Sequence, residues 1–365
     1  PARSMSYTPS QSARTWHASV TSTSPPGRPA GPSGSSGSNG GTVTVTGNLG
    51  TANATAQSTV TLNGGVLEVA GVTHSGSATR REIFYNGGTL RALRGNLAFL
   101  PIAANAVALS NLIQNGGAIF DTQGHTISIG TPLLADGVST GGLTKLGAGT
   151  LIITNSGANN YRGGTVVGAG TLSVGNNIGE TAAALGIGRV TVSNGATLHF
   201  KPGSTATSYN FTNAFLVNGG TIIGEDGIQR VAGNSTFTVG ELGANVQASW
   251  GGKDVYIDGA ISGNAGLNLA HGPTAGSAAT IHIGSGASSY SGTVSVSGAG
   301  NGAILSLDTA TGLQYAVVNL NPGTPGSMTV TPAGGATIAG LTGSGGTVRP
   351  AAVAGNYVLT VRTTN

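Results

Sequence analysis

The chain of 365 residues contains no cysteine, so neither disulfides nor thiol chemistry can hold it together or drive a reaction. That absence fits a protein that crosses an oxidising periplasm unfolded. Charged residues make up only 7% and aromatics only 5% of the sequence, so surface polarity must come from hydroxyls, amides and backbone. Such a surface suits secreted, elongated β-structures better than cytosolic enzymes. No apolar run reaches the roughly 18 residues that a membrane span requires, which excludes a transmembrane helix in this chain. The N-terminus lacks the apolar core of a signal peptide, and a start at Pro1 reads as a processed or excised piece.

What is abundant is glycine, 65 residues, together with Ser, Thr, Asn and Ala. The glycines follow no three-residue period, which excludes collagen, and Val, Ile and Leu return in short runs, which argues against wholesale disorder. The net charge of +4 is unevenly spread. Residues 1–94 carry seven arginines against Glu68 and Glu82, while the remainder is slightly acidic. A basic first quarter is ordinarily a solvated face, and nucleic acid is not an expected partner.

The organising feature is a repeated phrase. Gly-Ala-Gly-Thr-Leu stands at 147–151 and again at 168–172, so Thr150 and Thr171 are 21 residues apart. Looser versions begin at Asn63, Asn86, Asn115, Asn194 and Asn218, each with Asn-Gly before a short run of small and β-branched residues. The residues after the glycine pair stand at 66, 89, 118, 150, 171, 197 and 221, an uneven repeat in the mid-twenties. Asn-Gly or Gly-Gly supplies a positive-φ turn, and the following run forms one strand of a coil. Stacked coils would place strands about 4.8 Å apart, with alternate side chains making a continuous aliphatic core. At roughly 24 residues per coil, positions 41–365 would give about 13 coils and a length of about 65 Å. No convincing helical spacing intervenes, apart from an Ala-rich stretch at 101–113 that reads equally well as a loop plus a strand.

Residues 1–40 are rich in Ser, Pro, Gly and Arg and read as a flexible tail or linker, leaving 41–365 as the coiled domain. From residue 42, TVTVTG alternates with the period of a half-buried strand. Residues 281–307 renew the central pattern, with Tyr290 in the place of Tyr161. The last segment is still strand-like and has no polar cap, so its edge should be open to pairing.

The stretch 143–174, with its two Gly-Ala-Gly-Thr-Leu phrases, Asn160-Tyr161 and Gly163-Gly164-Thr165, resembles the autotransporter-associated β-strand repeat, also called the passenger-associated transport repeat. Residues 281–307 match it more weakly, and FDTQGHTISI at 120–129 is similar to the segment that often precedes it. The resemblance implies an all-β, right-handed parallel β-helix (a β-solenoid) from a large bacterial surface or secreted protein, often an adhesin or stalk. It implies no catalytic residues. Neither a signal peptide nor a translocator barrel accompanies the repeat in this sequence.

The residues that would carry the repeat are Gly147, Gly149, Thr150, Leu151, Tyr161, Gly164, Thr165, Gly168, Gly170, Thr171, Leu172 and Tyr290. Tyr161 and Tyr290 could stack on sugars, but the commoner use of a repeated tyrosine is packing over a turn. Trp250, near Lys253, Asp254 and Asp258, is the better ligand candidate, weighed against a loop aromatic that merely covers the core. Glu225-Asp226 and the Asp254/Asp258 pair are the close carboxylates, yet glycoside hydrolysis needs two across a cleft, and acidic residues at turns are ordinary. His74, His125, His199 and His282 lie singly, without HExxH spacing, and there is no EF-hand loop or P-loop. No cofactor, metal or catalytic residue is expected.

The sequence therefore predicts a non-enzymatic extracellular β-solenoid: a stalk, adhesin segment or filament subunit associating end to end, with cell-surface glycans as a further contact. The alternatives are a β-helix polysaccharide lyase or hydrolase and a carbohydrate-binding module.

Overall fold

A computed structural model describes residues 3–4, 14–17, 41–51, 58–74, 81–101, 109–154, 159–175, 182–201, 208–225, 228–249, 254–272, 278–297, 302–320, 326–351 and 357–362. Most of the N-terminal tail, and Trp250 with Lys253, therefore lie outside the described residues. The secondary structure is almost wholly parallel β, and Ala182–Leu185 is a single 3₁₀ turn. No helix among the described residues is long and apolar enough to cross a membrane. The chain forms two compact units, Pro1–Leu151 with Asn159–Gly163, and Ile152–Ala158 with Gly164–Asn365.

In the first unit, Thr42–Thr51, Val66–His74, Thr89–Ala92, Ala118–Asp121 and Leu143–Leu146 form one parallel sheet, with Arg3–Ser4 paired to Thr42–Thr51. Arg14–His17, Ser58–Leu62, Arg81–Tyr85, Leu109–Ile113 and Leu133–Ala135 form a second. A third pairs Asn96–Leu100 with Thr126–Ile129. The chain visits the sheets in rotation, so each strand bonds to its counterpart one coil away. The Ala-rich stretch ends in the strand Leu109–Ile113, and residues 102–108 before it lie outside the described residues.

The second unit repeats the scheme. One sheet runs through Thr165–Val167, Val190–Val192, Phe215–Val217, Thr236–Val239 and Ala260–Ser262. Another runs from Thr171–Val174 through Thr197–Phe200, Thr221–Gly224, Ala244–Ala248, Leu267–His271, Thr293–Val296, Leu313–Asn319 and Ala336–Thr342 to Leu359–Val361. The last holds Ser208–Phe211, Ile228–Val231, Val255–Ile257, Ala279–Ile283, Ala303–Leu307, Ser327–Val330 and Thr347–Pro350. This is a parallel β-solenoid, the architecture the repeats predict.

Alternation along each strand builds the core. Leu172, Leu198, Ile222, Val246, Leu269 and Val296 are in register, one per coil, and all are buried. Each such side chain contributes about 1.5–3 kcal/mol of hydrophobic stabilisation, and none would be buried in an isolated coil. The Asn-Gly corners do more than turn the chain. Asn86 Nδ2 donates to Asn63 Oδ1 at 3.0 Å, and Asn86 Oδ1 accepts the Gly116 N–H at 2.9 Å. Asn115 Oδ1 accepts from Thr140 N–H at 3.0 Å, and Asn218 Oδ1 from Leu242 N–H at 2.9 Å. The corner asparagines thus tie successive coils together, a role that turn propensity alone does not reveal.

Candidate functional site

The richest group of titratable side chains lies on the outer face of the sheet containing Ile228–Val231, Val255–Ile257 and Ala279–Ile283. Register aligns Arg230, Tyr256, His282 and Ser306 in one column, alternating with inward Val255, Ile257, Ile281 and Ile283. The Arg230 guanidinium carbon sits 4.2 Å from the Tyr256 ring centre, a cation–π contact. The other face of Tyr256 stacks on His282, the ring centres 4.0 Å apart.

Three aspartates flank the column. Asp258 forms an ion pair with Arg230. Asp308 Oδ2 is 2.7 Å from His282 Nδ1, while Asp254 Oδ2 is 3.6 Å from Nε2, an ion pair too long for a hydrogen bond. Asp254 Oδ1 also accepts the Thr280 N–H at 3.1 Å. Asp308 Oδ1 accepts from Ser306 Oγ at 2.6 Å and Thr331 Oγ1 at 3.0 Å. Burial pulls the His282 imidazole toward neutrality, but the two aspartates outweigh it and lift its pKa to about 9. Burial raises the Asp308 carboxyl, and the hydrogen bonds from His282 and Ser306 more than reverse that, holding it below its usual range.

A smaller cluster joins His199, Lys201 and Glu225. Glu225 Oε2 is 2.7 Å from His199 Nε2, and Oε1 accepts from Lys201 Nζ at 3.0 Å. Burial raises this carboxyl, yet Lys201 and His199 together leave it lowered. Among the described residues the carboxyls whose proton affinity is clearly altered, Glu225 and Asp308, thus move opposite to the direction a general acid in glycoside hydrolysis needs. Asp254 and Asp258 stand at opposite ends of one strand, engaged by different partners. No group of three or more potential ligands among the described residues could hold a metal ion.

The repeat residues occupy corners and strands. Thr150 and Leu151 lie in Thr150–Ile153, Thr171 and Leu172 in Thr171–Val174, and both leucines are fully buried. Side chains added at Gly147 or Gly149 would run into the Gln123 or His125 backbone respectively. Gly168 and Gly170 form the corner before Thr171. Gly164 has φ +83°, and a Cβ there would strike the Arg189 carbonyl oxygen. Thr165 is buried and donates to the Leu185 carbonyl at 2.9 Å. Tyr161 and Tyr290 are both buried. The Tyr290 hydroxyl lies 2.6 Å from the Ala265 carbonyl oxygen and 3.1 Å from that of Thr293, which fastens the ring over a corner. Burial pushes its phenol pKa well above the usual range.

Sequence reasoning had paired Asp254 with Asp258 and noticed His282 only as a lone histidine. It missed Arg230, Tyr256 and Asp308. The signal was the 26-residue spacing of Arg230, Tyr256 and His282, which becomes meaningful once the coil register is known.

The fold defines a class, the parallel β-solenoids. More narrowly, residues 143–174 match the family model of the passenger-associated-transport-repeat, so this stretch is similar to a repeat of that type. Over 140 aligned residues it is 36% identical to the Adhesin BmaC autotransporter of Brucella suis biovar 1 (strain 1330). That alignment covers 31% of this chain and 4% of the adhesin, so the chain corresponds to a small part of that relative's length. No solved structure matches the chain.

Proposed function

We propose that this chain is a non-enzymatic passenger segment of a bacterial surface adhesin, displayed outside the cell. The observation that carries the reading is the passenger-associated transport repeat at 143–174, embedded in a parallel β-solenoid and accompanied by similarity to an autotransporter adhesin. Its mechanism is mechanical. Continuous ladders and a shared aliphatic core make a stiff stalk, while the outer faces and corners supply contacts. End-to-end association of subunits, through pairing of strand edges, belongs to the same proposal.

Beads coated with the full chain should adhere to host-cell monolayers or matrix proteins more than beads coated with an unrelated solenoid. Equal adhesion would count against an adhesive role. Electron microscopy at high protein concentration tests self-association, with monomers alone sinking the end-to-end contact. Release of shortened or unsaturated products from a polysaccharide panel would overturn the non-enzymatic assignment.

A further inference from the structure

One outer column of the second unit is uncharged along eight successive coils. Register places Thr171, Thr197, Thr221, Asn245, Asn268, Ser295, Asn319 and Thr342 side by side, one per strand. Every member ends in a hydroxyl or an amide. Asn268 and Thr342 are exposed and the others half-buried. At about 4.8 Å per coil the column extends for roughly 34 Å. Its amides are partly ordered by the protein: Asn268 Nδ2 donates to Asn245 Oδ1 at 3.1 Å, and Asn245 Nδ2 donates to the Gly220 carbonyl at 3.2 Å. An amide has two donors and an acceptor with two lone pairs, so these bonds fix its orientation and leave further capacity facing outward.

We infer that this column is a docking surface for a linear, uncharged polysaccharide lying across the strands, a proposal that rests on the adhesive reading above and names its ligand class. Other partners suit the column poorly. Protein interfaces are anchored by aromatic, Met and Arg side chains, none of which stands in it. Nucleic acids and acidic glycans need lysine or arginine to neutralise their charge, and the column has neither. An extended β-linked pyranose chain offers a repeating set of hydroxyls, and each sugar advances by close to one coil step. Individually weak hydrogen bonds would then add along one chain, so binding should strengthen with polymer length.

The test is affinity electrophoresis of the full chain through gels containing hydroxyethyl cellulose, with hyaluronate gels as the anionic comparison. The expected result is retardation by the neutral glucan that persists at high salt. Asn245→Ala/Asn268→Ala should weaken it by about tenfold, with an unchanged melting curve. Thr197→Val/Thr221→Val removes two hydroxyls while keeping strand propensity, and it decides the matter if the asparagine variant misfolds. Thr191→Val, on a different sheet, should leave retardation unaltered. Absence of retardation, equal retardation of well-folded column variants, or salt-sensitive retardation by hyaluronate alone would each overturn the proposal. If coated beads still adhere to cells in those cases, the adhesin assignment survives while its glycan ligand falls.

Discussion

The Tyr256 ring and the His282 imidazole lie face to face, centres 4.0 Å apart and planes within 8° of parallel, although 26 residues of chain separate them. Arg230 covers the opposite face of the tyrosine, so three consecutive coils are joined by stacking, outside the hydrogen-bond ladder.

The pH response of His282 follows from its neighbours. Its folded pKa of about 9 lies above the ordinary value of about 6.5. Its stabilisation is therefore complete below about pH 6.5 and lost as pH rises through 9. Asp308 acts in the other sense: its contribution is present above the normal carboxylate pKa and lost as pH falls through its lowered folded value. Imidazole NMR should show His282 titrating near 9, and His282→Gln should flatten the alkaline fall in stability by about 2 kcal/mol, allowing for solvent screening. Titration at or below about 6.5 would contradict the stacked ion-pair arrangement.

Gln229 is a flaw in the core. It faces inward, in register with Tyr209 and Val255, and is only 3% exposed. Among the described residues both amide heteroatoms lack a hydrogen-bond partner, beside a cavity of about 10 Å³ lined by Phe200, Phe211, Ile222 and Phe237 among others. An unmet buried amide costs about 1–3 kcal/mol. Gln229→Met should raise stability by a similar amount in urea titrations, and a clear loss would show that the amide is satisfied in solution.

Two corner glycines separate backbone strain from collision. Gly164 and Gly195 both have positive φ, but a Cβ strikes the Arg189 carbonyl at the first and meets nothing within 4 Å at the second. Gly195→Ala should cost about 1–2 kcal/mol, and Gly164→Ala distinctly more. Equal losses on thermal melting would mean that the coils move apart easily at Gly164.

Lys145, in register with Phe120, is fully buried, its Nζ donating to the Leu146 and Gly147 carbonyls at 2.9 and 2.7 Å. Burial lowers its pKa to about 8, partly offset by Asp121. Because the folded value is below the unfolded one, this group disfavours folding below about pH 8, and the penalty fades as pH rises toward the ordinary lysine value. One lysine should therefore titrate near 8 by NMR, and that signal should vanish in Lys145→Met. A normal lysine titration would place the ammonium in water.

Much of the fold was legible because the repeat is written in turn chemistry and period-two alternation. Asn-Gly before Thr-Leu or Val-Leu announces a corner and an inward leucine, and Leu90 and Leu198 are where that rule places them. The charged column was harder to see. Asp254 and Asp258 are neighbours in sequence, yet Asp258 pairs with Arg230 one coil before, while Asp254 and Asp308 converge on His282 from opposite sides. Loops of unequal length prevent a fixed period from revealing such partners. Gln229 was invisible for the opposite reason: GIQRV carries a polar residue where alternation demands an apolar one, and nothing local marks it as inward.

The corner asparagines also bear on how long such a protein lasts. An Asn followed by Gly is the sequence most prone to deamidation, because the next backbone nitrogen can reach the side-chain amide. Asn86, Asn115 and Asn218 precede glycine, and each side-chain oxygen is held by an N–H of the following coil. Their engagement keeps these amides from folding back on their own backbone. Chemical ageing at these corners is therefore coupled to the opening of coils, and the integrity of the stacking records how old a molecule is.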